Sequence, residues 1–162
     1  MRNTHASNMA SAVADRGFTL IELLVTLTVL AIIAFAAAPS FSSLIATQRA
    51  RNASLDLSAA LTLTRSEAVK RNSSVSMAAS GAWAGGWAVT AGTEKVRSFG
   101  PYDGISITAS AGNSLSVGND GRPTAGSLTF QVAPSVSPQA ASTICVQVSG
   151  TGRVALVSGA CT

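Results

Sequence analysis

The spacing of apolar and polar residues changes character three times along the chain. Residues 1–17, MRNTHASNMASAVADRG, are polar and lack apolar periodicity. From Phe18 to Ala38 come 21 residues with a single charge, Glu22, and no glycine or proline. At ~1.5 Å rise per residue this run predicts a helix of roughly 30 Å, long enough to cross a bilayer core. Beyond Pro39, Ser40–Asn72 again lacks glycine and proline. Here Leu57, Ala60, Leu61, Thr64 and Ala68 recur at i, i+3, i+4, i+7 and i+11, one face of an amphipathic helix. Arg49, Arg51, Asp56, Arg65, Glu67 and Lys70 lie mostly off that stripe. They read as a solvated face, with contacts to neighbouring chains as the alternative.

From Ser73 the period becomes two. Val75 and Met77, Trp87 and Val89, Val96 to Phe99, Ile105 and Ile107, and Leu115 and Val117 each make a short alternating run. Leu128, Phe130 and Val132 follow, then Ile144, Val146 and Val148, then Val154 and Leu156. Turn signals separate them: Gly85-Gly86, Pro101 to Gly104, Gly112-Asn113, Asp120-Gly121, Pro134 and Pro138. This predicts seven or eight strands, each with one apolar face to bury. The amphipathic helix is available to cover them. The expected fold class is α+β, a long N-terminal helix whose second half packs on an antiparallel β-domain. Trp83 and Trp87 flank the Gly85-Gly86 turn and read as core or turn-packing aromatics.

Composition narrows the picture. Only 11% of residues are charged, which suits a compact, turn-rich domain with a hydroxyl-bearing surface. Eleven Lys and Arg against seven Asp and Glu give +4. Setting aside Arg2, Arg16 and Asp15 of the first 17 residues leaves nine against six, or +3. Such a balance permits contact with nucleic acid or anionic lipid without arguing for either. Arg2 and Arg16 precede the apolar span and favour a cytoplasmic N-terminus, while Arg49 and Arg51 reduce the asymmetry.

An ionised carboxylate in an apolar span costs about 2.5–3.5 kcal/mol on insertion scales for a central position, so Glu22 calls for a partner. Gly17-Phe18-Thr19-Leu20-Ile21-Glu22, after a polar leader and before an apolar helix, resembles the processing site of type IV pilins and type II secretion pseudopilins. The resemblance implies cleavage after Gly17 by a prepilin peptidase and methylation of the new N-terminus at Phe18. It implies that Glu22 neutralises a neighbouring subunit's terminal amine during assembly, and that Pro39 kinks the helix. Two plainer readings compete. A simple membrane anchor explains the hydrophobicity but not the Gly-Phe junction or the carboxylate. A secretory signal peptide would be cut after Ala36-Ala37-Ala38, but its apolar region is usually about 7–15 residues long.

Thr64 to Asn72, TRSEAVKRN, is similar to the helix end of the GspH/FimT branch of pilin-like proteins, and Trp83-Ala84-Gly85-Gly86-Trp87 to its early hairpin. That branch implies a type IV pilin-like fold, with the helix on a two-sheet β-domain, and a minor rather than major subunit. The organisation expected is leader 1–17, helix 18–72 (18–38 for membrane and assembly, 39–72 amphipathic) and β-domain 73–162. The implied location is the inner membrane, single-pass, with the C-terminal domain in the periplasm and later in a fibre. Implied partners are other pilins or pseudopilins and the prepilin peptidase.

Outside the cytoplasm, Cys145 and Cys161 would by default form one disulfide, contributing about 3 kcal/mol in the chain-entropy account. Two thiols without a nearby histidine make no metal site. The single histidine, His5, falls in the leader. No catalytic constellation or cofactor motif emerges. Gly150-Thr151-Gly152-Arg153-Val154-Ala155 fits G-x-G-x-x-A, but a strand follows it where a dinucleotide site needs a helix. In the FimT subgroup a Gly-Arg-x-Arg element is implicated in DNA binding. Arg153 matches its first arginine, and Ala155 replaces the second. Arg122 offers another loop cation, and both also read as ordinary turn arginines. The expected function is a structural subunit of a type IV pilus or type II secretion pseudopilus. The alternative is a minor pilin that binds double-stranded DNA for uptake.

Overall fold

The computed structural model describes residues 17–136 and 142–162, the side chains at 38 and 39 excepted. Residues 1–16 of the leader, the Pro138 turn and the kink expected of the Pro39 ring therefore lie outside the described residues. The chain divides into two compact units, Met1–Pro39 and Ser40–Thr162.

One helix, α1, runs from Leu20 to Arg71. In the first unit its described side chains are all exposed, and it is long and apolar enough to cross a membrane. The hydroxyls of Thr26 and Thr28 donate to the carbonyls of Leu23 and Val25, each at 2.8 Å. These polar groups are satisfied within the helix, as a bilayer interior requires.

In the second unit the helix buries the stripe its periodicity predicts. Leu57, Ala60, Leu61, Thr64 and Ala68 are inaccessible or nearly so, joined by Ala50, Ala53 and Ser54. Small residues let strands approach the helix closely, and Leu57 adds about 1.5–3 kcal/mol of apolar burial. The buried hydroxyls of Ser54 and Thr64 donate to the carbonyls of Ala50 and Ala60, at 2.8 and 2.7 Å. The helix ends on Asn72 at φ 48°. Ser73 N–H donates to Ala68 C=O and Asn72 N–H to Val69 C=O, a Schellman closure with asparagine in the left-handed position.

Eight strands follow: β1 Val75–Ala79, β2 Trp87–Ala91, β3 Glu94–Phe99, β4 Ile105–Ala109, β5 Ser114–Val117, β6 Leu128–Pro134, β7 Ile144–Val148 and β8 Val154–Ser158. They form two antiparallel four-stranded sheets, ordered β3-β2-β1-β5 and β4-β6-β7-β8. Val75, Met77, Val89, Leu115 and Val117 from one sheet meet Leu128, Phe130, Val132, Val146 and Val148 from the other. The α1 stripe completes this core.

The two tryptophans are buried, as expected. Trp83, in a 3-10 turn, stands edge-on to Phe130 with ring centroids 5.0 Å apart and donates Nε1–H to Gly112 C=O at 2.6 Å. Trp87 lies in stacked contact with both Tyr102 and Phe99, at 4.9 and 5.9 Å. Tyr102, which the sequence pattern places in a turn, is thereby an edge of the core. Its hydroxyl donates to Asp56 on α1 at 2.9 Å.

Candidate assembly helix and cationic loops

The start of α1 is closed by its own side chains. Glu22 N–H donates to Thr19 Oγ1 at 3.3 Å, and the Thr19 hydroxyl reaches Glu22 Oε2 at 3.5 Å. Thr19-Leu20-Ile21-Glu22 is therefore a T-x-x-E capping pair, with a carboxylate at the positive end of the helix dipole. The T-x-x-E spacing displays that signal in the sequence, on the same carboxylate that is expected to serve in assembly. Gly17 and Phe18 precede the helix and are exposed, Phe18 to 74%.

Further along, the helix face opposite the buried stripe is uncharged. Phe41, Leu44, Ile45, Gln48, Asn52, Leu55, Ala59, Thr62 and Ser66 recur at three- and four-residue steps, and all are exposed. Arg49 and Asp56 border this face on one side, Arg51 and Arg65 on the other. An exposed, uncharged face of this length, with four large apolar side chains, is suited to packing against another helix.

A second feature lies where the β5–β6 connection meets the β7–β8 turn. Gly121 and Gly152 are buried at φ 75° and 78°, and a side-chain carbon on Gly152 would collide with the Gly121 carbonyl. Arg65 of α1 lies over both and donates from Nη1 to Gly152 C=O at 3.3 Å. The loops bearing Arg122 and Arg153 are thus held together. Asp120 shapes its turn, as expected, by accepting from Arg122 N–H at 3.0 Å. It also faces the Arg122 guanidinium at 3.8 Å, an exposed pair. Arg153 is exposed beside a shallow concavity that Thr129, Gln147, Ser149 and Ala155 also line. Ala155 pairs with Gln147 across the β7–β8 ladder. The second arginine of a Gly-Arg-x-Arg element is thus replaced by a methyl group.

Cys145 and Cys161 form a disulfide. It ties the segment after β8 back onto β7, and Cys161 N–H donates to Gln131 Oε1 at 3.3 Å. Among the described residues no group of three or more His, Cys, Asp or Glu could hold a metal ion.

Residues 14–38 match the prokaryotic N-terminal methylation motif. Residues 53–152, more than half the sequence, match the family described as Type II transport protein GspH. The chain belongs to the GspH family. Two crystal structures of the type IV minor pilin FimU from Pseudomonas aeruginosa PAO1, in space groups P21 and P65, share its fold. They superpose with TM-scores of 0.58 and 0.57 at 19% identity, over 66% of this chain and 87% and 91% of theirs. No curated protein matches the chain significantly. As a GspH-family chain carrying the methylation motif, the protein is a minor pilin or pseudopilin of a type IV pilus or type II secretion system.

Proposed function

We propose that this GspH-family subunit is cut after Gly17, methylated at Phe18, and held in the inner membrane by the apolar part of α1 with its β-domain in the periplasm. It then enters a fibre through α1. The observation that carries this reading is the methylation motif at residues 14–38 joined to an exposed apolar helix that begins with a capped carboxylate. Glu22 then has two tasks. In the free subunit it closes its own helix end with Thr19. In the fibre it offers a carboxylate to the new amine of a neighbour, and its charge favours inserting beside that amine over remaining unpaired in lipid. The uncharged face from Phe41 to Ser66 continues the contact beyond the membrane. The test is Glu22→Ala expressed with the assembly machinery. Cleavage and membrane insertion are expected to persist while fibre incorporation falls. Normal incorporation would remove the assembly role of Glu22.

A second reading rests on the Gly121–Gly152 contact, which brings the loops of Arg122 and Arg153 together near Arg65. Clustered cations attract the phosphates of double-stranded DNA, with affinity growing as more are presented together. Asp120 offsets Arg122 and Ala155 supplies no cation, so the cluster is thin and this reading ranks second. Its test is a salt series of DNA binding with Arg153→Ala alongside. Binding that weakens with salt and disappears in the variant would raise it. No binding at low salt would end it.

A further inference from the structure

Two four-stranded sheets have four edges, and three of them carry a device against pairing. β3 bears Glu94, Lys95 and Arg97 and is bulged against β2 at Val89/Thr90. β5 is covered by residues 122–124: Pro123 bridges Val117, and Thr124 N–H donates to Ser116 C=O at 2.9 Å. β4 lies beside the 3-10 turn Trp83–Gly85, in which Trp83 packs on Phe130 of the same sheet. β8, Val-Ala-Leu-Val-Ser, has no charge, no proline and no bulge. Charge, proline, bulges and covering loops are the usual protections of an edge strand, and β8 lacks them all among the described residues.

The ladder shows which β8 groups are open. Ser149 N–H donates to Arg153 C=O, and Gly159 N–H to Thr143 C=O. With Val146 opposite Leu156, the odd-numbered residues of β8 bond to β7, and the N–H and C=O of Val154, Leu156 and Ser158 point outward. Leu156 sits opposite buried Val146, on the core side of the sheet, yet is 42% exposed because nothing described lies beyond it. The chain leaving β8 could have covered this edge. Instead the Cys145–Cys161 bridge holds it over β7.

We infer that β8 is a docking strand for β8 of a second copy of this chain, paired antiparallel about Leu156. In that register Val154 meets Ser158 and Leu156 meets Leu156, so all the outward groups find partners and both leucines bury their exposed flanks. Arg153 falls opposite Gly159, which has no side chain, and the two arginines end ~20 Å apart, beyond strong repulsion. Self-pairing therefore opposes no like charges. The inference does not depend on processing at Gly17, because β8 is the same in the cut and uncut chain.

The test uses the full-length chain in detergent. With Cys145 and Cys161 already bridged, Leu156→Cys adds the one free thiol. Two-fold pairing would bring the two introduced Cβ atoms to about 4.5–5.5 Å. Mild oxidation is expected to give a cross-linked dimer. Val157→Cys, which would face Ala155 of the partner, should not cross-link. Leu156→Lys and Leu156→Pro should each weaken dimerisation about tenfold or more, through a desolvated charge and a lost hydrogen bond at the edge, while the circular dichroism of the folded chain is kept. A wild-type chain that sediments as a monomer overturns the inference. So does a dimer indifferent to both substitutions, or one that cross-links equally through Val157→Cys.

Discussion

Gly152 sits against the carbonyl of Gly121, closer than any side-chain carbon could approach, and Arg65 lies across the pair. Through this contact the turn joining β7 and β8 meets the loop leading into β6, and the helix is fastened to both. A sequence reading of Gly152-Arg153 fixes on the arginine. In the structure the glycine carries the packing.

Gly152→Ala should therefore destabilise the β-domain by about 1–3 kcal/mol, from a left-handed backbone combined with a steric collision. A melting curve of the full chain checks this. Gly150→Ala, where an added carbon would touch nothing within 4 Å, is the control and should melt like wild type.

Leu57 is fully buried on the helix stripe, and Leu57→Ala should cost about 2–5 kcal/mol by opening a cavity. Thr64→Val removes one hydroxyl hydrogen bond, to the Ala60 carbonyl within the helix, so it should cost about 0.5–1.5 kcal/mol. Denaturant unfolding of the two variants tests that order. A Thr64→Val loss equal to that of Leu57→Ala would show the hydroxyl to have a partner beyond Ala60.

At the helix end, Arg71 bonds Glu67 at 2.7 Å and Glu94 at 2.6 Å. Hydrogen bonds from Arg71 hold both carboxyls below the ordinary carboxylate value. Carboxylates lowered in the folded state stabilise it above their unfolded pKa, about 4.3, and this is lost as pH falls through the lower folded value. Glu94→Gln should therefore melt below wild type at neutral pH, and the gap should close in acid. Glu94 is well exposed, so the difference will be small and salt-sensitive. A gap that widens in acid would contradict the sign.

Tyr102 is the chain's one tyrosine, which makes its titration readable by phenolate absorbance. Burial first, and then its hydrogen bond to Asp56, push its pKa well above the usual tyrosine value. The folded protein should show little phenolate at about pH 11, where an exposed tyrosine is largely ionised. Asp56→Asn should bring the midpoint part of the way down, leaving the effect of burial.

How much of this was legible depends on the range of the interaction. The stripe from Leu57 to Ala68, the alternation in each strand and the two tryptophans are local patterns, and the sequence displays them directly. The Cys145–Cys161 pair was reachable because only two cysteines exist. What escaped was set between distant residues: Arg65 over Gly121 and Gly152, Tyr102 reaching Asp56, and the unprotected edge at β8. None has a periodic signature, since each depends on which strands become neighbours. The Thr19–Glu22 capping pair is different. Its T-x-x-E spacing is local and stands in the sequence, but the same glutamate also fits the assembly motif, so the spacing alone does not separate the two roles.

Processing of this GspH-family chain as a prepilin leaves its mark at the N-terminus of the mature protein. The chain would be expressed with a prepilin peptidase and the membrane-bound product analysed by mass spectrometry. The expected product begins at Phe18, carries one methyl group on its amine and retains the apolar helix, with Gly17→Ala left uncut. A product that begins at Pro39, after Ala36-Ala37-Ala38, would show a secretory signal and contradict it. So would normal cleavage of Gly17→Ala.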